Sequence, residues 1–124
     1  MLKWLNLLAG GVAGTAARYA LAGAVYDRLG ATFPYGTLIV NLLGCFVIGI
    51  LSVLAEEKFL LSPEARVLLM AGFCGAFTTF STFMLETANL IRGGDSPRAL
   101  ANVAASVGGG FLVFRAGVLL AELF

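Results

Sequence analysis

A few polar residues lie within long apolar runs of this chain, and their types limit the chemistry it can do. Asn41, with Thr37 one turn before it, carries two amide N–H donors and one acceptor. Such a side chain either bridges neighbouring helices or turns a donor toward a dehydrated anion. Arg18 lies one turn beyond Gly14 and two beyond Gly10, a pair that lets helices approach closely. An arginine at membrane depth costs roughly 2.5–3.5 kcal/mol unless it finds water or a partner. It therefore snorkels or caps a neighbouring helix end, or it gives an aqueous vestibule a positive potential that attracts anions. In Gly72-Phe73-Cys74-Gly75-Ala76-Phe77-Thr78-Thr79-Phe80-Ser81-Thr82-Phe83, two glycines precede β-branched and hydroxyl residues, so a helix there is weak in its middle. An interruption frees backbone carbonyls and amides, which are tolerated at that depth only against protein, water or an ion. Phe80 and Phe83 share one helical face, with the hydroxyls of Ser81 and Thr82 nearby. The aromatic pair is packing unless other groups converge on it. Asn102, Ser106 and Gly110 recur at i, i+4 and i+8, a polar, small-residue face turned to a partner or a pore.

Composition narrows the classes further. The chain has 124 residues, 60% hydrophobic and 12% charged, and no histidine. Histidine-dependent nucleophile systems and most zinc and haem sites are thereby excluded. Cys45 and Cys74 lie in apolar stretches and read as inert buried thiols. A net charge of +1 gives no reason to expect nucleic acid as a partner.

The elements that must hold these residues are four apolar runs at about 4–26, 35–55, 67–91 and 99–123 of a single domain, 1–124. Each reaches the ~20 helical residues that cross a ~30 Å hydrocarbon core. Pro34, Pro63 and Pro97 each stand just before a run, where proline suits a helix start. Ser62-Pro63-Glu64 and Asp95-Ser96-Pro97 read as capped starts. Ala22-Gly23-Ala24 imitates a signal-peptide cleavage site, but the run before it is too long and carries Arg18, so no cleavage is expected. With so little chain outside the runs, function must lie inside the bilayer, and four helices are thin for enclosing a polar pathway alone, which suggests an oligomer. Lys3, Lys58 and Arg66 flank one side, Arg28, Arg92 and Arg98 the other. Three against three gives no positive-inside bias. Either copies insert both ways round, or insertion follows another cue.

In three runs the chain resembles the Fluc (CrcB) fluoride channels, and the likeness extends over its whole length. The runs are Gly10-Gly11 through Gly14 to Arg18-Tyr19; Tyr35-Gly36-Thr37-Leu38-Ile39-Val40-Asn41-Leu42-Leu43-Gly44; and Gly72 to Phe83 followed by Glu86. The resemblance implies an all-α integral membrane protein of four transmembrane helices, the third broken near its middle, assembled as an antiparallel, dual-topology homodimer in the bacterial inner membrane. It implies two pathways that let toxic fluoride leave the cytoplasm down its gradient, and lipid as the surrounding partner. The pathway residues it implies are Asn41, Phe80 and Phe83, with polar help from Thr37, Ser81, Thr82, Asn102 and Ser106. It also implies a structural Na+ at the dimer centre, held by main-chain oxygens of Gly75 and Thr78 from both copies. Gly75 is expected to resist substitution, either for lack of room at the dimer axis or because of the break's dihedrals. Ala76 stands where a second glycine is frequent in the family, and Asn102 and Gly110 where some relatives carry tyrosine and serine. A proton-coupled small multidrug exporter is the rival reading. It needs a carboxylate deep in the first run, where there is no acid before Asp27; Glu86 is the only acid well within any run.

Overall fold

The computed structural model describes residues 1–124, and every regular element in it is helical. Helix α1 is Leu2–Leu29. Helix α2 is Tyr35–Glu57, whose last five residues, Val53–Glu57, widen into a π turn. The third stretch, Pro63–Arg92, divides into α3 (63–77) and α4 (Phe80–Arg92). Helix α5 is Ser96–Glu122, with a π-helical segment at Ala105–Gly109. Tyr35–Glu57, Pro63–Arg92 and Ser96–Glu122 are long and apolar enough to cross a membrane. Helix α1 is different. Its 28 residues reach ~42 Å, but Asn6, Arg18 and a wealth of small residues keep it off the apolar set.

The helix starts follow local chemistry. Ser62 accepts a hydrogen bond from the Ala65 amide with Pro63 in the first turn, and Asp95 accepts from the Arg98 amide with Pro97 behind it. Both are the starts the sequence marks. Helices then pack where side chains are missing. A Cβ on Gly10 would collide with the Leu68 carbonyl, and one on Gly14 with the Phe73 carbonyl, so α1 lies directly on α3. Gly49 meets the Phe114 carbonyl and Gly117 the Phe46 carbonyl, which seats α2 on α5 in the same way.

The third stretch stops being helical at two residues. Thr78 (φ −89°, ψ 157°) and Thr79 (φ −149°, ψ 108°) are extended, a conformation that β-branched side chains favour. Gly75, by contrast, is helical (φ −61°, ψ −35°). The expectation that the break's dihedrals make Gly75 irreplaceable is therefore corrected: any L-residue adopts its backbone angles. A Cβ there would meet only the Met70 carbonyl, at 3.9 Å.

Only 21 of 124 residues are buried, and large apolar side chains such as Leu8, Val12, Phe111 and Leu112 stand in the open. A surface of this kind must be covered by lipid or by another copy. The three-to-three tally leaves out two arginines within the helices: Arg115, two turns before the end of α5 on the side of Lys3, Lys58 and Arg66, and Arg18, in the second half of α1 toward Arg28, so the balance holds at four to four.

Candidate functional site

The interruption leaves main-chain groups that the rest of the bundle must satisfy, and α1 and α2 supply most of what is needed. In a continuous helix the Thr79 amide would close on the Gly75 carbonyl. Here it is accepted by Asn41 Oδ1 at 2.8 Å, while Asn41 Nδ2 donates to the Thr79 carbonyl at 3.0 Å. Asn41 thus acts as a second strand one residue long. The Ala76 carbonyl, left without the Phe80 amide, accepts from Arg18 Nε at 3.1 Å. Of the two readings open for Arg18, the structure has it capping a neighbouring helix end. Thr78 Oγ1 returns to the Cys74 carbonyl at 3.0 Å. Thr79 Oγ1 starts α4 by accepting from the Thr82 amide. Gly44 lets α2 come this close, since a Cβ there would strike the Thr78 methyl.

Two cavities flank the interruption. The larger, about 390 Å³, is lined by Asn41, Phe80, Phe83 and Ser106 together with Gly75 and Thr78. The Phe80 and Phe83 rings lie 5.6 Å apart at 55°, so each presents an edge as well as a face. Phe83 is buried, whereas Phe80 is 72% exposed in the single chain. Ser106 Oγ is buried with no protein partner. The smaller cavity, about 140 Å³, is lined by Arg18, Thr37, Thr82 and Thr79 with two residues that were not among the expected site residues, Tyr26 and Glu86. Tyr26 and Thr37 hydroxyls both donate to Glu86 Oε1 at 2.9 Å, and Oε2 is buried without a partner. An acid well inside an apolar run was the available signal for this cluster.

Two other candidates lie elsewhere. Ser81 is exposed and lines neither cavity. Asn102 is 1% exposed and donates to Thr87 Oγ1 at 2.9 Å, which in turn donates to the Phe83 carbonyl at 2.7 Å. Its amide is committed to holding α4 against α5.

A bundle of apolar helices with cavities on either side of a broken helix defines a multi-pass membrane protein. Residues 5–118 match the family described as CrcB-like protein, Camphor Resistance (CrcB), and the chain belongs to that family. It is 53% identical over 116 residues to a protein of Chlorobaculum tepidum named fluoride-specific ion channel FluC, covering 94% of this chain and 91% of that one. A protein of the same name from Solidesulfovibrio magneticus is 47% identical over 124 residues, covering 99% of both.

Proposed function

We infer that this chain is a fluoride-specific ion channel rather than an enzyme, and that its working form is an antiparallel, dual-topology homodimer with two fluoride pathways. All four spans, α3 and α4 together forming the third, then cross the bacterial inner membrane. The observation that carries the reading is the extent of the likeness: relatives named for fluoride conduction match 94% to 99% of the chain. The larger cavity supplies a physical rationale. Fluoride holds its water tightly, so a pathway must offer substitutes yet bind weakly enough to release the ion. Phenyl rings have positive edges and carry no net charge, Ser106 keeps a free hydroxyl, and Asn41 has a second amide N–H beyond the one given to Thr79. The exposed ring of Phe80 and the open room at Gly75 suit a second copy seated on this face.

The residues also fit a structural Na+. A hard cation takes oxygen ligands, and the break releases the Gly75 carbonyl by diverting the Thr79 amide to Asn41. Gly75 and Thr78 line the same cavity, and their main-chain oxygens from two copies would hold the ion. Bound there, it would offset part of the charge repulsion between facing carbonyls and the dehydration cost of a nearby anion.

Purified protein in liposomes tests the reading, with fluoride and chloride efflux followed by ion-selective electrodes. Fluoride efflux without chloride efflux is expected, and it should fall when Na+ is replaced by a large organic cation. Equal passage of the two halides, or none of fluoride, overturns the channel reading. Undiminished flux after exhaustive Na+ removal overturns only the sodium.

A further inference from the structure

The turn between α2 and α3 holds an aromatic residue in a conformation that glycine usually takes. Phe59 has φ 53°, the only non-glycine residue in the chain with positive φ. Around it the Leu60 amide reaches back to the Leu54 carbonyl at 2.8 Å and the Lys58 amide to the Val53 carbonyl at 3.0 Å. These bonds reach back six and five residues, so the widened end of α2 closes around a left-handed residue, a position that favours glycine because a Cβ crowds the following carbonyl. Arg66, at the start of α3, braces the turn from below, its Nε donating to the Leu61 carbonyl at 3.2 Å and its Nη2 to the Ala55 carbonyl. Strain of this sort persists only where surrounding contacts over-determine it, and it points to a use for the side chain. Neither Phe59 nor Leu60 packs on the bundle: they are 79% and 69% exposed.

We propose that Phe59 and Leu60 form a membrane-surface anchor, inserted at the boundary between lipid headgroups and acyl chains. The turn joins Tyr35–Glu57 to Pro63–Arg92, both long and apolar enough to cross a bilayer, so it lies where headgroups begin. Trp4, 65% exposed, stands at the same end of the bundle, and aromatic side chains favour that layer. Lys58, next to the turn, can meet lipid phosphate while Phe59 enters the apolar boundary. A turn needed only to reverse the chain would be better made with glycine.

The experiment uses the full chain in phospholipid vesicles. Trp4 is the only tryptophan, so Trp4→Phe gives a silent background into which Phe59→Trp and, separately, Leu60→Trp are placed. Retained fluoride efflux verifies folding, since no residue of the turn lines either cavity. Lipids brominated high on the acyl chain should quench either probe roughly twofold more than lipids brominated near the chain end, as expected for residues in the headgroup boundary. Adding Phe59→Gly should relax the turn and raise thermal stability in detergent, while quenching of the Leu60→Trp probe by the high-brominated lipid falls. Emission typical of water with quenching by aqueous iodide overturns the proposal. So does a probe shielded from iodide and bromolipid alike, which would mean that protein covers the turn.

Discussion

The two cavities either side of Thr78 and Thr79 use polar groups in opposite ways. The smaller holds more of them, yet Tyr26 and Thr37 both spend their hydroxyl hydrogens on Glu86. The larger is walled mostly by apolar groups and aromatic rings, yet it contains the buried Ser106 hydroxyl with no protein partner. Polarity of a lining is therefore a poor guide to what a passing anion can use, because a donor already bound costs its own bond to redirect, about 0.5–1.5 kcal/mol net in a typical case. Between the cavities stands Asn41, whose amide joins α2 to the broken helix.

The largest effect should come from breaking that wall. Asn41→Leu leaves the Thr79 amide and carbonyl both unpaired, each at about 1–3 kcal/mol when buried. Fluoride flux should vanish and thermal stability should fall in the same variant. If flux vanishes while the thermal midpoint is unchanged, Asn41 serves the larger cavity as a donor and the two cavities do not depend on it for their shape.

Phe83→Ile comes next. Phe83 is buried at 4% exposure and lines the larger cavity. Flux should fall by about tenfold or more with the dimer intact on gel filtration, whereas a packing role alone would cost about 1–3 kcal/mol and lose flux only as folded protein is lost. The same change at Phe80 should disturb stability less, since that ring is exposed within one chain.

Much of this arrangement was legible in the sequence where the cause is local. Ser62-Pro63 and Asp95 with Pro97 start helices by capping, and Gly10 and Gly14 announce a close contact. The weakness of the third stretch was also readable, but its position was not. Gly72 and Gly75 stay within helical structure, and the chain opens at the threonines because Asn41, remote in sequence, accepts the Thr79 amide. Asn102 and Ser106 should share a face in an α-helix, yet one is locked on Thr87 and the other faces the cavity. The π-helical segment Ala105–Gly109 adds residues to the turn and moves the stripe out of register, which no spacing rule foretells. Glu86 and Tyr26 are brought together across 60 residues, and only the acid had a signal.

Arg18→Gln sharpens the contrast through charge. Arg18 lines the smaller cavity and caps the Ala76 carbonyl. Glutamine keeps an N–H donor for that carbonyl and removes the charge. If capping is the whole role, stability and flux should both stay within about threefold of the parent, a change under 1 kcal/mol. A larger loss of flux that grows as ionic strength is lowered marks a field effect, because screening weakens the potential of an exposed charge.

The smallest effect on flux is expected at the Asn102–Thr87–Phe83 relay, which holds one ring of the larger cavity by its backbone. Asn102 donates to Thr87 at 2.9 Å and Thr87 to the Phe83 carbonyl at 2.7 Å. The Phe83 carbonyl is also within a helix, so losing the threonine bond does not orphan it. Thr87→Ala removes two hydrogen bonds, the one given to the Phe83 carbonyl and the one accepted from Asn102, and strands the Asn102 amide; Asn102→Ala removes only the second and leaves a hole. Each single change should cost about 1–3 kcal/mol. The double variant should cost less than the sum by roughly 1 kcal/mol, because the two residues share a bond. Flux should change little in all three, since neither side chain lines a cavity. Strict additivity in thermal unfolding would dissolve the relay. A flux loss in Asn102→Ala beyond its stability loss would return Asn102 to the fluoride pathway, and the contrast between a free and a committed donor would then fail on the α5 side.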